Sequence, residues 1–346
     1  FVIMALDDIL AWLNKNFLMV GLVTALTVGL VFPAPGEAIA SSEIKLLSFS
    51  LSQCAVIIIF IISGLTLQAV TQWRETLKAL ISGSIFVLFI SPLLGLPIIN
   101  IYKVVDVNPW LLKGMALFCA VPTTLSSGVA MVKSAGGNVP LALILTTVTN
   151  LLGVFTMPYS MPVIFEGGES DFKIDAMHML KQLVCQTLIP LLGGIALQKV
   201  PPVKKCVTNL KATLGKASNC CIFFVVWLNA SGSQDKIVHF PLKDILVVVV
   251  LAILVHIVYR TAAYFLAETF KFPGPEWVAL VLMCSQKSLP VCVSVLEALP
   301  DVPKGTLIVP CIMSHFSQLM IDGFLADRWK LDSSGQFQYF KAKEPL

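Results

Sequence analysis

An all-α polytopic membrane protein is the fold class this sequence predicts, and three observations carry it. Of 346 residues, 57% are apolar and only 13% are charged, roughly half the charge of an ordinary soluble domain. The apolar residues gather in runs close to the ~20 residues that cross a bilayer as a helix. Short polar loops separate the runs, and their basic charge is unequal on the two sides. This balance excludes a disordered chain and a soluble enzyme of ordinary composition. A net charge of +4, with no long basic run, excludes a nucleic-acid partner.

Ten windows qualify as transmembrane helices. Residues 1–16 precede them and mix Asp7, Asp8, Trp12 and Lys15 with apolar side chains, the pattern of a short interfacial segment. Spans at 17–32, 48–68, 76–99, 110–135 and 139–163 form a first five-helix repeat over 17–163. A loop at 164–175 leads to spans at 176–198, 214–231, 242–267, 277–299 and 306–326, a second repeat over 176–326, and a tail at 327–346. Five spans per half make the second copy enter from the opposite side, so the repeats are inverted. The chain opens on Phe, which fits removal of a targeting segment.

Loop charge sets the orientation. Lys15, Arg74, Lys78, Lys133, Lys199, Lys204, Lys205, Lys211, Lys271, Arg328, Lys330, Lys341 and Lys343 share the side of both termini, against Lys45, Lys103, Lys173, Lys236, Lys243 and Lys304 opposite. The positive-inside rule places both termini on the cytoplasmic or equivalent side. Eight of the nine cysteines lie in apolar runs and Cys206 in a loop, which reads as reduced core thiols. No CxxC or HExxH pattern suggests a metal, and no cofactor is implied.

The fourth and ninth spans resemble each other. Each starts apolar, breaks around Ser, Thr and Pro, and resumes: CAVPTTLSSGVA in one, CSQKSLPVCVS in the other. Broken helices at matching positions of two halves are the best sequence pointer to a transporter site at the midplane. Pro122 and Pro290 mark the breaks, since each lacks an amide and clashes with the preceding turn. The freed backbone groups must face protein or a polar cavity. Thr123, Thr124, Ser126 and Ser127 add hydroxyls to the first break, and Ser285, Gln286, Lys287 and Ser288 add polar groups to the second. A proline kink that merely bends a structural helix is the plainer alternative.

The spans that follow each break are also polar. Thr146, Thr147, Thr149 and Asn150 cluster in the fifth, while His315, Gln318 and Asp322 share one face of the tenth. For His315 a structural hydrogen bond competes with a ligand or proton role, and Asp322 reads as interfacial because it sits near the end of its span. His256 and Arg260 stand one turn apart on the eighth span. Lys287 is the sharpest signal, a charge in mid-span that costs about 3 kcal/mol even on the lenient insertion scale. It fits a deprotonated lysine, a lysine in a wet cavity, or one that meets an anionic ligand; a lysine capping the carbonyls of the break is the structural alternative.

These pieces resemble the bile acid:sodium symporter family, in the branch of plant plastid sodium/metabolite cotransporters and a vertebrate sodium/bile acid cotransporter. The most specific are FIISGLTLQ (60–68), CAVPTTLSSGVA (119–130), AGGNVPLAL (135–143), TNLLGVFTMP (149–158), SQKSLPV (285–291) and LIVPCIMSHFSQLMID (307–322). The resemblance implies interleaved panel and core domains, crossing broken helices, and alternating access with sodium behind the crossing and an organic anion in front. It implies a sodium site at the fourth-helix break, a fifth-helix threonine and a ninth-helix glutamate. Ser126 or Ser127 and Thr146 match the first two, with Asn150 and Gln286 as further cation candidates. The glutamate position holds Leu282, the asparagine expected after Gln286 is Lys287, and Phe86 and Val87 stand where a third-helix glutamine is expected. Thr123, Thr124, Ser285, Lys287, Ser288, His315 and Gln318 remain as substrate or coupling candidates.

The expectation is a secondary transporter of a small organic anion, sodium-coupled, with lipid and the anion as its partners and a monomer as its form. A proton-coupled carrier, a uniporter and a non-transporting regulator of ion homeostasis are the rivals. An intramembrane enzyme would need an acid pair or a nucleophile–base pair at one depth, which the sequence does not offer. The likeness to plastid members points to the chloroplast envelope for a plant or algal chain, and otherwise to a plasma or Golgi membrane.

Overall fold

A bilayer interior offers no water to backbone N–H and C=O groups, so apolar runs fold as helices that satisfy themselves. A computed structural model describes residues 9, 12–14, 16–41, 45–46, 49–67, 76–93, 95–101, 104–124, 127–166, 174–299 and 301–329, almost all of them helical. Ser126 lies outside the described residues, as do Asp7, Asp8, Lys15, Arg74, Lys103, Lys173, Lys330, Lys341 and Lys343.

The first half runs α1 (Phe17–Val31), α2 (Pro33–Ala40), a small hairpin of β1 (Lys45–Leu46) and β2 (Phe49–Ser50), and α3 (Leu51–Thr66). Next come α4 (Leu77–Ile85), a π-helical turn at Phe86–Ile90, α5 (Ser91–Leu93), α6 (Gly95–Asn100), α7 (Pro109–Ala120), α8 (Ser127–Ser134) and α9 (Val139–Glu166). The second half has α10 (Ala176–Leu183), a π-helical turn at Val184–Leu188, α11 (Ile189–Gln198), α12 (Pro201–Ser231) and α13 (Gln234–Val238). It ends with α14 (Leu242–Thr269), α15 (Gly274–Ser285), α16 (Leu289–Ala298) and α17 (Lys304–Arg328).

Three local features depart from the sequence reading. The first span bends by 91° between α1 and α2, because Pro33 opens α2 and cannot continue the ladder of α1. The second span begins at Leu51, since Ser50 and Phe49 pair with Lys45 and Leu46 instead of joining the helix. The seventh helix starts at Pro201 rather than 214, with proline in its first turn, where a missing amide costs nothing. Cys206, expected in a loop, therefore lies exposed on α12, and no disulfide joins any of the nine cysteines.

Among the described residues, six helices are long and apolar enough to cross a membrane: Leu77–Asn100, Val139–Phe165, Ala176–Gln198, Leu242–Thr269, Gly274–Ala298 and Lys304–Ala326. The bent pair of α1 and α2 would make a seventh. Their burial differs sharply. Within Leu242–Thr269 only 22% of the apolar window is buried by protein, against 94% within Gly274–Ala298. The first can face lipid around much of its girth; the second cannot.

The chain resolves into two compact units. One comprises Phe1–Thr66, Cys185–His239 and Pro303–Ile308. In it α3 crosses α11 at two glycines: a Cβ on Gly64 would lie 2.2 Å from the Leu191 carbonyl oxygen, and one on Gly194 2.4 Å from that of Ile61. The same unit pairs α1 with α12 in parallel, Gly21 against the Phe223 ring and Gly29 against Ala230.

The other unit comprises Leu67–Val184, Phe240–Val302 and Val309–Leu346. Its apolar core joins α4, α9, α14 and α15 through Leu80, Leu141, Leu145, Ala263, Val278 and Leu282. Every described residue of the candidate site belongs to this second unit.

Candidate functional site

Both matched spans are broken in the structure. The fourth leaves its helix after Ala120 at the extended residue Val121 and resumes at Ser127. The ninth leaves after Ser285, runs extended at Gln286 and Ser288, and resumes at Leu289. Pro122 lies inside its break. Pro290 does not: it occupies the first turn of α16, where no intrahelical partner is lost. The ninth helix is interrupted at 286–288, and Ser288 caps the new start by accepting from the Val291 amide at 3.4 Å.

The two breaks satisfy one another. The Ser288 amide donates to the Pro122 carbonyl at 2.9 Å, and the Thr123 hydroxyl donates to the Met283 carbonyl. Helix α9 holds the first break from the side. Thr146 donates to the Thr124 carbonyl at 3.1 Å, and Asn150 Nδ2 to the Thr123 carbonyl at 3.0 Å. Helix α17 holds the second break through Gln318, whose side-chain amide accepts from the Lys287 N–H and donates to the Lys287 C=O, both at 2.8 Å. An extended residue leaves both backbone groups unpaired, and this side chain replaces the missing strand partner.

The remaining candidates sort by what they touch. Thr124 and Ser127 hydroxyls are 2.7 Å apart, and Ser127 reaches Gln286 Oε1 at 3.5 Å. Ser285 donates back to Val281 within its own helix, as Thr147 does to Leu143 and Thr149 to Leu145. His315 Nδ1 pairs with Gln318 at 2.8 Å and its ring meets Phe118 edge-on. Asn150 Oδ1 is buried without a hydrogen-bond partner. It lies on a side chain already anchored to the first break, so an acceptor waits there beside two threonines.

Lys287 is only 1% exposed. Its ammonium donates to the Ser91 hydroxyl and stands 5.2 Å from the centroid of the Tyr259 ring. Neither partner carries charge, and no ion pair to this lysine occurs among the described residues. A small cleft beside it is lined by Phe118, Cys119, Tyr259, Ser314 and Gln318. Ser91 and Tyr259 were not legible as site residues; Tyr259 follows His256 by three positions and so shares its face.

Asp322, near the end of its span, is fully buried within the protein. Its carboxylate accepts from Arg260 Nη1 at 2.8 Å, His256 Nε2 at 2.9 Å and Gln286 Nε2 at 2.9 Å. Arg260 pairs with Asp322 and lies 4.5 Å from the centroid of the Trp329 ring. This carboxylate is committed to Arg260, His256 and Gln286 and is not a counter-charge for Lys287.

The positions of the third helix and the lost glutamate tell a consistent story. Phe86, Val87 and Leu282 all belong to one buried apolar cluster. No side-chain oxygen comes from any of them, so these positions do not fit a sodium site. The cluster of Thr123, Thr124, Thr146 and Asn150 does supply oxygens of the kind that suit a hard cation.

The profile of the SBF-like CPA transporter family matches residues 16–331. The chain is 32% identical to "Probable sodium/metabolite cotransporter BASS4, chloroplastic" of Arabidopsis thaliana, covering 93% of this chain and 74% of that one. It is 30% identical to the protein of the same name in Oryza sativa subsp. indica, covering 92% and 76%. At 21% identity it also aligns with "Sodium/bile acid cotransporter 7" of Danio rerio over 95% of this chain and 97% of that one. These are transporters and not enzymes, and sodium as a coupling ion fits them. The match leaves out only the two ends of the chain, and with the apolar helices it makes this multi-pass membrane protein a member of the SBF-like CPA transporter family.

Proposed function

We propose that the chain is a secondary active transporter that carries a small organic anion by alternating access, in symport with sodium. The full architecture in this reading is ten spans in two inverted repeats, which the matched breaks at 121–124 and 286–288 support. The observation that carries the reading is the Lys287 ammonium, buried at the joined breaks beside a hydroxyl and a ring, with no ion pair among the described residues. An ammonium left in that setting lacks the partner that offsets its desolvation. An anionic substrate supplies the partner during transport.

Sodium is assigned to the first break, on Asn150 Oδ1, Thr146 and the Thr123–Thr124 backbone, with Ser127 and Gln286 nearby; Ser126, the other candidate, lies outside the described residues. One cation per cycle is favoured, since the apolar cluster of Phe86, Val87 and Leu282 supports no second one. The names of the plant relatives support the chloroplast envelope as location, and loop charge supports both termini on the same, positive side.

The test is thermal unfolding of purified protein in detergent, titrated with sodium against potassium and choline at constant ionic strength. A ligand that binds only the folded state stabilises it saturably. Sodium-selective stabilisation that Thr146→Ala removes, together with uptake into liposomes that Lys287→Ala abolishes, is the expected result. A second reading, a proton-coupled or uniporting carrier, draws on Lys287 itself, which can stand in for a cation. Uptake that needs no sodium, with no sodium effect on unfolding, selects it.

A further inference from the structure

We infer that the groove between α1 and α12 binds one acyl chain of an anionic phospholipid, with the headgroup held at Lys216. The two helices run side by side in the same direction. Lys216 lies beside Asn14 at one end, Gly21 meets Phe223 midway, and Gly29 meets the Trp227 carbonyl and Ala230 at the other. Gly21 lets the Phe223 ring close on α1, since a Cβ there would lie 2.1 Å from it. Along this helix pair a cavity of about 660 Å³ is lined almost wholly by apolar atoms, among them those of Phe17, Val20, Val28, Phe223 and Trp227. That size lies within the roughly 300–1,000 Å³ of small-molecule sites.

Length and charge identify the occupant. From Lys216 to Trp227 the helix rises about 16 Å, close to one leaflet of a hydrocarbon core about 30 Å thick. The apolar channel is thus as deep as one acyl chain reaches. At its mouth the Lys216 ammonium donates to Asn14 Oδ1 at 2.7 Å and lies 5.6 Å from the Phe17 ring centroid. The same helix carries Lys204, Lys205 and Lys211 further toward its start, all exposed, and no Asp or Glu between Pro201 and Ser231. A helix with four lysines and no acid at the headgroup end of an apolar groove complements a phosphate bearing net negative charge. A phosphatidylcholine brings its own ammonium against these lysines and fits less well.

The experiment uses the full chain in detergent with phosphatidylglycerol or phosphatidylcholine of matched chains, read by native mass spectrometry and thermal unfolding. The expected result is one retained phosphatidylglycerol, with affinity about fivefold above phosphatidylcholine, the equivalent of one lysine near an anionic headgroup. Lys216→Gln brings the ratio close to one. Thr24→Trp, which fills the groove from α1, weakens both lipids, and glycerol phosphate without chains produces no stabilisation. Equal affinity for the two lipids, or selectivity that survives Lys216→Gln, overturns the proposal. So does a chain dimer that carries no lipid and is broken by Thr24→Trp, because a second copy then covers the groove.

Discussion

Gln318 is the side chain on which the ninth-helix break most depends, and its removal can be worked through. Lys287 and Gln318 are each 1% exposed, and the Gln318 amide supplies both hydrogen bonds of the Lys287 peptide groups. Gln318→Met keeps the shape and length of the side chain while deleting both. Two buried backbone groups then lose their partners at about 1–3 kcal/mol each. Methionine needs no hydrogen bonds of its own, so the net loss falls toward the lower part of that sum, about 2–4 kcal/mol. His315 loses its partner as well. The assay is denaturant unfolding in mixed micelles, followed by the fluorescence of the six tryptophans. Where unfolding is irreversible, the unfolding rate replaces the midpoint. A Gln318→Met protein within about 0.5 kcal/mol of the parent, a difference typical of an inconsequential surface change, would falsify the assignment of Gln318 as the strand substitute.

Asp322→Asn leaves Arg260 buried without its counter-charge and should destabilise by about 3–5 kcal/mol; combined with Arg260→Met it should cost less than the two single losses added, the new amide oxygen still accepting from His256 or Gln286, and additive losses in this cycle would show the two are not coupled. At the crossing of α3 and α11, Gly64→Ala and Gly194→Ala each force a methyl group into a facing carbonyl, costing about 1–3 kcal/mol apiece. The pair should cost less than the sum of the singles, since one substitution already separates the helices; unfolding midpoints of all three variants decide it. Asp175 caps α10 by accepting from the Met177 and His178 amides, and those bonds, the one to His178 first, hold its carboxyl below its ordinary value. A depressed folded value means the cap is in place above the ordinary carboxylate range and is lost as pH falls through the lowered value. Hydrogen exchange at Met177 and His178 should therefore be protected at neutral pH and lose that protection only in strong acid; Asp175→Ala should be unprotected at both.

The sequence revealed the parts of this fold that depend on composition. Apolar runs marked the long helices because lipid forces the backbone to satisfy itself. Thr, Ser and Pro at matching places marked both interruptions. Placement was less legible wherever it depended on what lies across a contact. Pro290 drew attention to itself, yet the break sits just before it, because a proline in a first helical turn disturbs nothing. Asp322 sits near the end of an apolar run, and that position says nothing of the neighbours that reach it. His256 and Arg260 were seen as a pair one turn apart, and nothing local could show that they converge on a carboxylate 62 residues beyond Arg260. Ser91 and Tyr259 are ordinary residues in apolar surroundings; only the arrival of Lys287 makes them a site.

The hydrogen bond from Ser288 to Pro122 also constrains motion. It joins two segments far apart in sequence, each without a helical ladder of its own at that point. A rearrangement that pulled the segments apart would strand a donor on one and an acceptor on the other, at about 1–3 kcal/mol per group wherever they stay buried. Moving them together costs nothing of the kind. The crossing is therefore best regarded as a keystone that travels whole, with any gates built from the helices around it rather than from the two breaks opening past each other.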